Sequence, residues 1–175
     1  HADVNGPGNR SLRVIADHAR ATGFLIADGV MPSNEERGYV LRRVMRRAIR
    51  YGVKVGLNKP FLWQVVDVLV QTMGDHYGEL KQRADFVREV VRGEEERFRE
   101  TLDKGLQLLD QAFSNLETDG QLPGDVAFKL HDTFGFPLDL TRLIAEERNY
   151  TVDEEGYAEA MEAQRAAGRA AWKGS

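Results

Sequence analysis

Apolar residues recur at helical spacing along most of the chain, and no alternating apolar and polar run of useful length predicts a strand. A first helix is predicted to begin at Ser11 and to lead into a connection at residues 29–32. Ser33 and Glu36 then form the S-x-x-E pattern of a capping box, which predicts the start of a second helix. Gly52 stands where a glycine commonly ends a helix. The pattern therefore predicts an all-α fold class.

The middle of the chain continues this helical pattern. A third helix is predicted over residues 60–73, followed by a long, charged, amphipathic stretch over residues 79–116. Gly93 and Gly105 weaken that stretch, which leaves open whether it forms two helices or one bent helix. The acidic run at 94–96 is interpreted as a solvated helix face.

The last third is predicted to hold three shorter helices. The first runs from Asp125 to about Thr133 and is closed by Gly135, the second begins after Pro137, and the third is capped by Asp153. The predicted organisation is a flexible lead-in over 1–10 and two helical parts joined by a long helix. The first part covers 11–92 with a basic helix at 34–51, and the second covers 93–175 with the motif HDTFGFP.

Composition excludes several classes of site without identifying a function. The chain has 175 residues, a formal net charge of −4 and no cysteine, so disulfides, thiolate zinc sites and a cysteine nucleophile are excluded. The apolar runs are too short to span a bilayer, and the N-terminus lacks the apolar region of a signal peptide. We expect no membrane association, no bound metal and a cytoplasmic location.

Positive charge is concentrated on the second predicted helix. At about 100° per residue, four of its arginines share the side opposite its apolar residues, a fifth flanks them and a sixth lies one turn earlier. The six are Arg43, Arg46, Arg47 and Arg50, then Arg42, then Arg37. Such a face suits phosphate oxygens, since the guanidinium is planar and permanently charged. The pattern equally allows these arginines to pair with acidic residues of the chain, such as those at 94–96.

Three segments resemble the alanyl-tRNA synthetases, which are class II enzymes. They are GVMPSNEERGYVLRRVMRRAIRYG (29–52), GEEERFRETLDKGLQLLD (93–110) and AFKLHDTFGFPLDLT (127–141). The resemblance covers about 160 residues in one order and identifies the chain as a fragment holding the middle, helical tRNA-recognition domain. It implies that the parent enzyme is an alanine–tRNA ligase, and that this fragment alone lacks the catalytic core and is inactive.

The resemblance implies that Asn34 and Asp132 recognise a G·U wobble pair in the acceptor stem of tRNA(Ala). In such a pair, the guanine amino group is a donor that an acceptor-only aspartate can meet, and uracil O2 is an acceptor for an asparagine NH₂. A-form RNA exposes these edges in its shallow minor groove. The six arginines would then hold the adjacent phosphates.

The resemblance also implies what lies outside this chain. ATP with Mg²⁺ and zinc are expected in the parent enzyme only, and no cofactor or catalytic residue is expected here. The expected partners are the tRNA(Ala) acceptor stem and the catalytic and editing domains of the parent. The alternative hypothesis is a helical protein-interaction or structural module with a basic helix face.

Overall fold

The computed structural model describes residues 6–118 and 120–172, which form eight helices and two very short strands. The helices are α1 (Pro7–Ala27), α2 (Glu36–Lys54), α3 (Leu62–Met73), α4 (Gly78–Gln82), α5 (Ala84–Ser114), α6 (Gly124–Phe134), α7 (Leu138–Glu146) and α8 (Glu154–Trp172). The strands β1 (Gln121–Leu122) and β2 (Thr151–Val152) pair in parallel. The predicted all-α class is confirmed, while the small strand pair was missed because two residues cannot show an alternating pattern.

The chain divides into two compact units, one ending at Arg99 and the other beginning at Glu100, so α5 contributes residues to both. Helix α1 begins at Pro7, before the predicted start at Ser11, and proline is well suited to the first helical position. The predicted flexible lead-in includes residues 1–5, which lie outside the described residues. Within the described residues, no helix is both long enough and apolar enough to cross a membrane.

The first unit is built on the contact of α1 with α2 and α3. Leu41, Met45 and Ile49 recur at intervals of four on α2, and all three are fully buried, as expected for one face of an amphipathic helix. The predicted end of this helix at Gly52 is wrong. Gly52 lies inside α2 with the ring of Phe61 against it, leaving no space for a side chain. The turn that ends the helix instead uses Gly56, whose φ is +91°.

Helix α5 tests two predictions made for the long charged stretch. It runs unbroken past both of its internal glycines, so residues 84–114 form one helix. The beginning of the predicted stretch belongs to the short helix α4. The predicted solvated acidic face is wrong for two of its three residues, because Glu94 and Glu95 are 1% and 0% exposed while Glu96 is exposed. A buried carboxylate requires partners, and both residues have them within the first unit.

The second unit packs α6 against α7 and α8. Gly124 lies so close to the backbone of α8 that a side chain there would overlap it. Gly135, with φ +70°, closes α6 as predicted. Asp153 caps α8 as predicted, since its Oδ1 accepts a 2.9 Å hydrogen bond from the backbone N–H of Gly156. Phe136 follows the closing glycine and is completely buried.

Candidate nucleic-acid interface

Helix α2 carries all six of the predicted phosphate-binding arginines and only one acidic residue, Glu36. Among the six, Arg37 is exposed, whereas the other five side chains are half-buried. The arginine face predicted from the helical period is thus partly covered by other residues of the first unit. Its positive charge is therefore available to a partner only in part.

A single buried carboxylate binds two of these arginines. Glu94 of α5 accepts a 2.9 Å hydrogen bond from Nε of Arg42 and a 2.8 Å hydrogen bond from Nη2 of Arg46, both on Oε1. The two arginine side chains are only 16% and 12% exposed. Arg46 also lies over the ring of Phe98, at 4.9 Å from its centroid. For these two arginines, the structure contains the internal pairing that the sequence left as the alternative.

The electrostatics of this cluster leave it positive. Burial lowers the pKa of the Arg46 guanidinium below its ordinary value, and the neighbouring Glu94 carboxylate opposes that shift. Arginine nevertheless stays charged at neutral pH, because its ordinary pKa is so high. Two guanidinium groups of α2 therefore share one carboxylate, and the cluster retains a net positive charge.

Asn34 lies directly beside this cluster, in the connection before α2. Its side chain is exposed, and its Oδ1 accepts a hydrogen bond from Nη1 of Arg42. The predicted capping box is wrong. Glu35, not Ser33, occupies the N-cap position of α2, where it makes no side-chain cap hydrogen bond, and the Ser33 hydroxyl donates to the Glu35 carbonyl at 3.0 Å. The serine hydroxyl therefore shapes the connection that carries Asn34.

Gly38 of α2 holds that connection against the helix. Its carbonyl accepts a 3.1 Å hydrogen bond from the N–H of Ser33. A side chain at Gly38 would overlap both the Ser33 hydroxyl and the carbonyl of Met31. The loop that bears Asn34 can thus lie in this position only because residue 38 has no side chain.

We expect Gly38→Ala to lower the free energy of unfolding by about 1–3 kcal/mol, because the added methyl must displace loop backbone. Urea unfolding followed by circular dichroism measures this. The matched control is Gly93→Ala, at a helical glycine whose added Cβ would meet only the Arg97 guanidinium at 3.9 Å. That change is expected to stabilise the chain by about 0.5–1 kcal/mol. Equal effects of the two substitutions would contradict the packing role of Gly38.

Asp132, the second predicted base-recognition residue, lies near the end of α6 in the second unit. Its side chain is exposed, and its Oδ1 accepts a 2.7 Å hydrogen bond from Nε2 of Gln164 on α8. The remaining carboxylate oxygen can accept a further donor. Asn34 belongs to the first unit and Asp132 to the second, and each has one polar partner within its own unit.

Sequence reasoning missed Gln164 as the partner of Asp132, and it included Glu94 only as one of three acidic residues that the arginines could pair with. A signal for Glu94 was present, because Val87, Val91 and Phe98 define a buried stripe on α5 that passes through positions 94 and 95. A carboxylate within such a stripe needs a buried cation or donor. Gln164 gave no comparable signal, since residues 162–172 of α8 are exposed throughout.

No metal centre is indicated by the geometry. Among residues 6–118 and 120–172, no group of three or more histidine, aspartate or glutamate side chains is arranged to hold a metal ion.

Comparison with known proteins gives a consistent result along nearly all of the chain. Residues 3–175 match the family described as tRNA synthetases class II (A). The chain is 55% identical over 174 residues, 99% of its length, to an alanine–tRNA ligase of Parvibaculum lavamentivorans. It is 58% identical over 166 residues, 94% of its length, to that of a Janthinobacterium species. It spans about a fifth of these relatives, 20% and 19% of their lengths.

Proposed function

Because this chain belongs to the family of class II tRNA synthetases, we propose that it is the part of an alanine–tRNA ligase that binds the acceptor stem of tRNA(Ala). The relatives named above are alanine–tRNA ligases, and the matched part is about a fifth of each. Formation of alanyl-tRNA with ATP and Mg²⁺ is accordingly proposed for the whole enzyme. The contribution of these 175 residues is recognition of the tRNA.

The observation that carries this proposal is the position of Asn34. An exposed amide lies at the start of a helix with six arginines and one glutamate, directly beside a cluster that keeps a net positive charge. Phosphate contacts position a protein on a nucleic acid, and contacts to base edges provide the specificity. One short segment thus offers both kinds of group, in a chain whose overall charge is negative.

We propose that Asn34 and Asp132 contact a G·U wobble pair in the minor groove of the stem. The free Asp132 oxygen suits the guanine amino group, which lacks a pairing partner on that edge, and the Asn34 NH₂ suits uracil O2. Phosphate contacts are proposed for the arginine face of α2, first for Arg37, whose side chain is exposed, and then for Arg43, Arg47 and Arg50. Arg42 and Arg46 bind Glu94. These contacts would make binding dependent on salt.

The first test is a titration of the chain with two acceptor-stem hairpins that differ only in G·U against G·C. Wild type is expected to prefer G·U, and Asp132→Ala or Asn34→Ala is expected to remove about 1–3 kcal/mol of that preference, the range for one base contact. Asp103→Ala, which removes an exposed carboxylate of α5 in the second unit, is the matched control and should leave the preference unchanged. Undiminished preference in both site variants would refute the residue assignment.

A second candidate function is favoured by the internal ion pairs. Arg42 and Arg46 both bind the buried Glu94, so part of the basic face stabilises the fold, as in a structural or protein-interaction module. On that hypothesis, wild type would bind neither hairpin, and arginine substitutions would lower stability alone. The same titration, combined with urea unfolding of the arginine variants, separates the two functions.

A further inference from the structure

We propose that Arg42 is a positioning residue for base recognition: held by the buried Glu94, it orients the amide of Asn34 so that the NH₂ group faces the RNA. This inference rests on the proposed function and assigns to Arg42 a role other than phosphate binding. The geometry that carries it is a chain of contacts from α5 through α2 to the connection before α2.

Arg42 is held in place from several directions. Its Nε donates to Oε1 of Glu94 at 2.9 Å, and its Nη2 lies 3.4 Å both from Oε2 of that carboxylate and from the carbonyl oxygen of Pro32. Glu94 is itself 1% exposed and is further bound by Arg46. Bidentate contact between a guanidinium and a carboxylate fixes geometry as well as contributing energy. The remaining nitrogen, Nη1, is thereby directed at Asn34.

A guanidinium can only donate hydrogen bonds, whereas a side-chain amide has one accepting and one donating end. The contact with Arg42 therefore requires the Asn34 carbonyl oxygen to face the guanidinium, as it does. The NH₂ group occupies the other branch of the same exposed side chain. An amide held in this orientation offers a donor to its surroundings, which is the group that uracil O2 accepts.

The same contacts argue against a phosphate contact for Arg42. Its side chain is 16% exposed, and all three of its nitrogens donate to protein oxygens. A phosphate contact would require breaking contacts with a buried carboxylate. Leaving that carboxylate without its partner is costly, because an unpaired buried charge is strongly destabilising.

The test uses the same two hairpins with Arg42→Lys, which keeps the charge but loses the planar fork. We expect about a tenfold loss of G·U preference, which is within the range for one base contact. The affinity for the G·C hairpin, and the salt dependence of that affinity, should be retained. In an Asn34→Ala background, the same change should alter the preference by less than about twofold, because the group it orients is absent. Arg43→Lys, the same change at the next residue of α2, should weaken both hairpins by one common factor.

The opposite pattern would overturn the proposal. If Arg42 contacts a phosphate, Arg42→Lys will weaken both hairpins equally and leave the preference intact, because phosphate contacts do not distinguish base pairs. Circular dichroism must show that each variant is folded. Asn34→Asp provides a variant that leaves Glu94 untouched: it keeps the acceptor for Arg42 but lacks the NH₂, so its preference should fall to that of Asn34→Ala. A retained preference in Asn34→Asp would also overturn the proposal.

A measurement without RNA separates failure of this inference from failure of the proposed function. Nitrogen-15 relaxation of the Asn34 side-chain amide is expected to report an ordered group in wild type. In Arg42→Lys, its order parameter should fall below about 0.6, the range of flexible groups. That fall, in a chain without G·U preference, would support the positioning role and refute the proposed function. An equally ordered amide in Arg42→Lys would refute the positioning role whatever the RNA result.

Discussion

Glu95→Ala is expected to lower the free energy of unfolding by about 3–5 kcal/mol, the range for breaking a buried ion pair from one side. The Glu95 side chain is completely buried and forms a 3.0 Å ion pair with Arg99. It also accepts hydrogen bonds from the backbone N–H groups of Phe61, at 3.1 Å, and Leu62, at 2.8 Å. Those N–H groups open α3, so Glu95 satisfies a helix N-terminus that has no side-chain cap of its own.

Urea unfolding of Glu95→Ala against wild type measures this loss. The matched control is Glu96→Ala, at the next residue of α5, where an exposed carboxylate pairs with Arg92 four residues earlier. An exposed pair of this kind contributes about 0.3–0.5 kcal/mol. If the two substitutions cost the same, Glu95 would not be the buried cap of α3 that its contacts describe.

Phe136→Ala is expected to be comparably destabilising, by about 3–5 kcal/mol, the range for removing a buried phenylalanine. The Phe136 ring is 0% exposed and lies directly against Gly105 of α5, where a side chain would overlap it. The backbone N–H of Phe136 donates a 2.9 Å hydrogen bond to the carbonyl oxygen of Leu130. Phe136 directly follows Gly135, the glycine that closes α6. Loss of the ring would leave a cavity beside the helix that carries Asp132.

Phe134→Ala supplies the comparison for Phe136→Ala, since Phe134 lies two residues earlier and is only half-buried. Its cost should be clearly smaller in the same urea experiment, because less surface leaves water on folding. A larger cost for Phe134 than for Phe136 would contradict the packing described here. The complete burial of Phe136 makes its ring part of the core of the second unit.

Local signals in the sequence predicted the course of the fold well. The helix closed by Gly135 and the helix capped by Asp153 were both predicted, because each depends on groups within a few residues of one another. The errors at Ser33 and Gly52 have a different origin. Ser33 shapes a loop that packs on Gly38, and Gly52 makes room for Phe61, so tertiary contacts overrode each local pattern.

The sequence predicted which residues belong to the candidate site, but it did not predict which of them contact one another. The period of α2 grouped its arginines, and family resemblance supplied Asn34 and Asp132. Neither signal could show that Arg42 binds Glu94, which lies 52 residues further along the chain. The burial of Glu94 was implicit in the apolar stripe of α5, but which of the six arginines bind it was not.

The sequence by itself determined the all-α class, most helix positions and the membership of the family. Only the tertiary structure decided that two arginines of the basic helix bind a buried carboxylate, that Gln164 binds Asp132, and that Asn34 meets Arg42. The physical reason is the range of the interactions. Helices and caps arise from neighbours in the chain, whereas the partner of a buried charge is set by which helix faces pack together.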